Sequence, residues 1–212
     1  MHLSEESKLP HGNANSDVEI GNIQDSVQFL LHSTQNYSNI ISPSIHMIPN
    51  RIRSLNPRVF NPRQVSIGPL HRRNENLQPF EGQKAIFLHD LLLHSGLPVE
   101  QTLETCVQKV NASIGRIKAC YGDGIEGYSD DDITRMMVMD GCFTLEFIYK
   151  ILMGLFDENM VIEPMSMMYD LVLIENQIPF FVLQNIFECT SSRFKPKLSS
   201  LNELIILGVV PF

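Results

Sequence analysis

Two carboxylates stand where water is least available to them. Asp140 sits in the run Met136-Met137-Val138 to Phe143, and Glu175 interrupts Asp170 to Leu183, the most apolar long segment of the chain. An ionised carboxylate among apolar side chains is unfavourable unless it is paired or hydrogen-bonded. Three sources of partners are at hand: Lys84, an arginine of the Arg51 to Arg63 stretch such as Arg53, and backbone amides at the Glu175-Asn176-Gln177 elbow. Lys84, Asp140, Glu175 and Arg53 are therefore the candidate site residues, and the expected role is a structural clamp of loop to core. Two carboxylates with pKa values moved by their surroundings can instead do acid–base work. The clamp is favoured, because no substrate-positioning motif accompanies them.

Other reactive residue types give less. Cys142 and His71 can be drawn as a thiol and its base, yet Cys142 falls on an apolar helix, where a packed, inert thiol is the common outcome. Ser66-Ile67-Gly68-Pro69 lacks the flanking glycines of a nucleophile elbow. There is no phosphate loop, dinucleotide glycine pattern or paired-histidine metal helix. The acids of Ser129-Asp130-Asp131-Asp132 lack the glycine and distal glutamate of a calcium loop. No catalytic, cofactor-binding or metal-ligating residue is assigned, and no cofactor is expected.

These residues must be positioned by helices. Asp17 to His32 carries Val18, Ile20, Ile23, Val27, Leu30 and Leu31 at mostly three- and four-residue steps, an amphipathic pattern. Gln78 to Ser95 has a broad apolar face, stopped by Gly96 and Pro98. Leu103, Val107, Val110, Ile114, Ile117 and Tyr121 then form a heptad-like seam, read as one bundle helix. Ser129 and the three acids behind it cap a long helix from Ile133 to about Met153. Pro164 starts another helix, and Asp170 to Leu183 reads as two buried helices joined by a polar elbow, with Pro179 at the restart. Thr190 to Ser200 is a polar linker, and Leu201 to Val210 a final apolar helix.

Between Ser42 and His71 the prolines 43, 49, 57, 62 and 69 exclude a continuous helix and hold their predecessors extended. Ile45, Ile48, Ile52, Leu55, Val59, Phe60, Val65 and Ile67 give this segment apolar surface to bury on the helical body. Its arginines, with Arg72 and Arg73, are expected to tie loop carbonyls and local acids in place, rather than meet an acidic partner or anionic lipid. The fold class is mostly α: an irregular multi-helix domain with a proline-rich ordered loop region packed on the helices. The expected organisation is a disordered tail over 1–17, an amphipathic helix over 18–41, and a helical domain over 42–212.

The chain has 212 residues, 43% of them hydrophobic, and a formal charge of −8. That suits a globular protein and argues against nucleic acid, whose binding needs clustered cations. Four cysteines, 106, 120, 142 and 189, are widely spaced and fit a reducing compartment. The acidic start is unlike a secretory signal, and no apolar run reaches the roughly 20 residues of a membrane span. The chain as given is expected to be soluble and cytoplasmic.

Several stretches together resemble a plant family, the domain of unknown function 247 family. They are Ile48-Pro49, Arg53, Asn56-Pro57, Phe60, Pro62 and Val65-Ser66-Ile67-Gly68-Pro69 with His71; Glu81 with Lys84; Met136-Met137-Val138 with Asp140-Gly141-Cys142-Phe143; and Asp170-Leu171 with Glu175 to Phe181. Leu70 and Arg72 flank His71 where the family often has a second histidine. The resemblance implies a helical plant protein of unassigned biochemistry, usually about twice this length and ending in one membrane-spanning helix at the plasma membrane. It also implies, for some grass members, a part in pollen self-incompatibility. Against that pattern this chain reads as an N-terminal part, truncated before the anchor. The function expected is a non-enzymatic protein-interaction or signalling module with an unknown protein partner. The alternatives are an enzyme of unrecognised class using Asp140 and Glu175, and a truncated product without function.

Overall fold

A computed structural model describes residues 23–32, 44–156, 163–195 and 197–209. They are helical with connecting turns, and no strand occurs among them. Two compact units are distinguished, residues 1–41 and 42–212. In the first, residues 23–32 form α1; Val18 and Ile20 of the predicted stripe lie outside the described residues.

The second unit is built around one long helix. Ser129 caps it with a capping box: the Ser129 hydroxyl accepts from the Asp132 amide, and the Asp132 carboxylate accepts from the Ser129 amide. This satisfies two amides that the helix start would otherwise leave open. The helix, Asp130–Leu152, carries buried residues on nearly every side, from Ile133 to Tyr149. A helix buried all round must be central, and here α3 (Gln78–Leu93), α4 (Val99–Asn111), α5 (Ile114–Tyr121), α8 (Phe180–Thr190) and α9 (Leu201–Val209) pack on it. We number it α6, with α2 (Asn50–Arg53) in the proline-rich segment and α7 (Pro164–Leu171) following α6. The α3–α6 seam is aromatic. Phe87 meets Phe143 edge-on with centroids 5.0 Å apart, and Phe143 stacks on Phe147 at 5.4 Å. Such pairs add about 0.5–1.5 kcal/mol each beyond the area they bury.

Three local expectations are corrected. The seam from Leu103 to Tyr121 is two helices, not one. Ser113 turns its amide back to the Val110 carbonyl and its hydroxyl to the Lys109 carbonyl; this local bonding tightens and bends the chain at Ala112-Ser113. The stretch after Asp170 is not a buried helix either. α7 ends at Leu171, and Val172 to Pro179 is an irregular elbow in which Val172 and Ile174 face solvent. Pro179 is the N-cap residue of α8. Finally, of the apolar residues in the proline-rich segment, Ile45, Val65 and Ile67 are buried, but Ile52, Leu55 and Val59 are exposed.

Candidate functional site

The proline-rich segment, residues 44–74, lies across the helical body as a strap, and polar side chains of α3, α6, α7 and the elbow hold it. A strap without ladder partners needs its amides and carbonyls satisfied by something else. Most of that work falls to side chains more than 70 residues further along the chain.

Asp170, at the end of α7, receives three consecutive strap amides. The N–H groups of Arg63, Gln64 and Val65 donate to its carboxylate at 3.0, 2.7 and 3.0 Å. Asn176 takes the next register: its Oδ1 accepts from the Ile67 amide at 2.7 Å, while its Nδ2 donates to the Val65 carbonyl at 3.0 Å and the Asp170 carbonyl at 2.9 Å. The carboxamide thus replaces one neighbouring strand's worth of hydrogen bonds. Asp140 then accepts from the Gly68 amide at 2.8 Å. Gly68 is required there, since its φ is +73° and a Cβ would stand 2.5 Å from the Gln177 carbonyl oxygen.

Lys84 of α3 is wholly buried, and its ammonium is fully used. It donates to the Asp140 carboxylate at 2.6 Å and to the Ser66 carbonyl, and pairs with Glu81 at 2.8 Å. Arg72 completes this group between Glu81 and Asp140, 3.3 Å from the latter. Glu175 anchors a second group. It accepts from the Ile48 amide and the Arg53 guanidinium through one oxygen, and meets His71 Nε2 through the other at 2.9 Å. Lys84 and Asp140 therefore meet directly, as do Arg53 and Glu175, in two neighbouring groups on one strap.

Electrostatics follow from this packing. Burial acts to raise the Glu175 pKa, but the hydrogen bonds from Arg53 and Ile48 and the charge of Arg53 outweigh it, so the group is held below the usual carboxylate value. Burial lowers the His71 pKa against the pull of Glu175. Its ring is neutral at pH 7 and donates Nε2–H to the carboxylate. Burial, with the Asp140 charge second, pushes the Tyr121 hydroxyl well above its usual pKa, and it donates to the Gln177 carbonyl at 2.8 Å.

Sequence reasoning passed over several members of the site. Asp170 and Asn176 lie in the stretches of the family resemblance, and their grip on the strap has no signal in the residues beside them. Glu146 was hidden in a helix read as apolar: it is wholly buried and takes two hydrogen bonds from Arg193, at 2.8 and 3.1 Å, while that guanidinium covers the Tyr149 ring at 4.4 Å. The cysteines, distant in sequence, converge. Cys106 of α4 shares thiol hydrogen bonds with Cys142 of α6 and Cys189 of α8, and the Cys142 contact is the largest factor lifting its pKa to about 12. A thiol held protonated is a poor nucleophile. Ser66 has a buried hydroxyl with no partner. Among the described residues, no group of three or more His, Cys, Asp or Glu could hold a metal ion.

A cleft of about 490 Å³ opens on the outer side of the Asp170 group. Val59, Phe60, Asn61 and Arg63 line it from the strap, Ser166, Tyr169 and Asp170 from α7, and Val172, Leu173 and Ile174 from the elbow. Neither Asp140 nor Glu175 reaches it.

Fold and site define a helical domain whose buried charges read the backbone of a proline-rich strap. The chain belongs to the plant protein of unknown function family, domain of unknown function 247, whose model matches residues 45–210. It is similar to UPF0481 protein At3g47200 of Arabidopsis thaliana, at 32% identity over 149 residues, covering 68% of this chain and 30% of that protein. It is also similar to a second Arabidopsis thaliana UPF0481 protein, At3g02645, at 27% identity over 150 residues, or 70% of this chain and 27% of that one. The chain thus spans about a third or less of the length of these relatives. No solved structure matches it.

Proposed function

We propose that the chain is a non-enzymatic protein-interaction module whose working face is the junction of strap and elbow. The observation that carries this reading is the row of apolar side chains left on that face. Leu55, Val59, Tyr169, Val172 and Ile174 are each more than half exposed, and four of them line the cleft. Apolar side chains gathered on one face are a common mark of a binding surface. The carboxylates that could have been catalytic are spent in hydrogen bonds that hold the strap. Acid–base chemistry by Asp140 and Glu175 would need a cleft that reaches both, and the cleft beside the strap is lined by neither. The module would act in signalling, attached to the plasma membrane through sequence beyond this chain, as the family resemblance implies. No helix among the described residues is long and apolar enough to cross a membrane.

The test is photo-crosslinking from position 174 in plant extract, comparing the wild type with the Tyr169→Ser/Val172→Ser variant. A discrete crosslinked partner that disappears in the variant, with thermal unfolding unchanged, supports the reading. A partner captured equally by both, or none captured by the wild type, overturns it.

A further inference from the structure

The cleft beneath the apolar row has polar groups whose hydrogen-bonding capacity is unevenly spent. Asp170 is its one carboxylate, and both oxygens are already engaged by strap amides. Asn61 accepts from Arg53 through Oδ1, which leaves its NH2 group to donate. Arg63 is the one cation of the lining, and it takes part in none of the ion pairs among the described residues. Its backbone amide is fixed by Asp170, so the strap holds this residue at the cleft. The side-chain amide and the guanidinium thus have donors to spare, while the one carboxylate is already engaged. The remaining walls are apolar, and the volume lies within the roughly 300–1,000 Å³ of small-molecule sites.

We infer that the cleft binds a small amphipathic carboxylate, with its anionic head on Arg63 and its apolar body between Phe60, Tyr169 and Val172. A carboxylate matches a guanidinium two oxygens to two N–H groups, and with the Asp170 carboxylate also in the lining a monoanion meets less repulsion than a dianionic phosphate. A second cavity of about 70 Å³ shares Tyr169 and Val172 with the cleft and is otherwise walled by Met165, Met168 and Val209. The apolar surface beside the cleft thus continues behind Tyr169 and Val172. The inference rests on the reading of this face as a binding surface, and adds the ligand class that the face selects.

Titration calorimetry of the 212-residue chain with sodium decanoate and with 1-decanol, both below their aggregation limits, tests it. The expected result is saturable one-to-one binding of decanoate, about tenfold or more tighter than decanol. Arg63→Gln keeps the backbone amide that Asp170 holds. It should weaken decanoate about tenfold and leave decanol unchanged, while Arg63→Lys recovers part of the preference. Val172→Trp, which narrows the cleft, should weaken both ligands. Equal affinity for decanoate and decanol would overturn the carboxylate assignment and leave the binding surface standing. Binding of neither, or an Arg63→Gln variant that keeps the full preference, would overturn the inference, and the crosslinking experiment would still decide the protein-interaction reading separately.

Discussion

Replacing Lys84 by methionine probes the strap's attachment most directly. The ammonium is wholly buried, donates to Asp140 and the Ser66 carbonyl, and is ion-paired with Glu81. Its removal leaves the equally buried Asp140 with the Gly68 amide at 2.8 Å and Arg72 at 3.3 Å as its remaining partners. Breaking a buried pair by deleting one member costs about 3–5 kcal/mol, because the charge left behind is uncompensated. Against a typical total of about 5–15 kcal/mol, that is a large share. At about 2–4 °C per kcal/mol for a domain of this size, the melting temperature should fall by roughly 6–20 °C. Asp140→Asn should cost a similar amount, since its amide group would set a donor against the ammonium. The double variant carries the decision. In it an asparagine NH2 can donate to the Ser66 carbonyl that Lys84 gave up, so the two losses should overlap by about 1–3 kcal/mol. Urea unfolding followed by circular dichroism gives all four corners of the cycle. Single losses below about 1 kcal/mol, or losses that add within about 0.5 kcal/mol, would refute the account of Lys84 and Asp140 as one buried unit.

Acidification should loosen the Glu175 group. The folded pKa of Glu175 lies below its unfolded value, so its contribution is present above about pH 4.5 and is lost as pH falls through the folded pKa. The folded pKa of His71 also lies below its unfolded value near 6.5; the unfolded chain binds more protons in that window, and stability again falls with pH. Melting temperature should therefore decline from pH 7 toward pH 4, and His71→Gln should flatten the upper part of the curve. Gly68→Ala places a side chain at positive φ and against the Gln177 carbonyl. It should lower stability by at least about 1–2 kcal/mol, measured by denaturant midpoint. Arg193→Leu strands Glu146 in the core and should cost about 3–5 kcal/mol, whereas Arg193→Leu with Glu146→Leu should recover much of it in the same assay.

The helices were legible in the sequence because their signals are local. The Ser129 cap, the apolar positions of α6 and the prolines that open α4, α7 and α8 lie within a few residues of what they specify, whereas the α4–α5 break has no such mark. That Asp140 and Glu175 needed partners was legible too, since burial of a charge is a demand that composition alone reveals. Which partners met it was not: Lys84 stands 56 residues before Asp140, and Arg53 stands 122 before Glu175. Asp170 read as a helix end because nothing local shows that three amides more than 100 residues away converge on it. The exposed Val172 and Ile174 were misread for a different reason. Apolar character permits burial without compelling it, and the elbow's turn sends them to the cleft. Glu146 escaped notice because its neighbours are apolar and Arg193 lies 47 residues on.

The strap is gripped by its main chain. At Arg63, Gln64, Val65, Ile67 and Gly68 the helical body contacts the amide N–H, a group nearly every amino acid offers and proline alone lacks. At Arg63, which is exposed, and Gln64, which is partly so, replacement can alter the surface without loosening the attachment beneath. Fold and surface are in this sense written in separate alphabets on the same few residues. Such a scaffold can vary the side chains it presents by point substitution while keeping a single architecture.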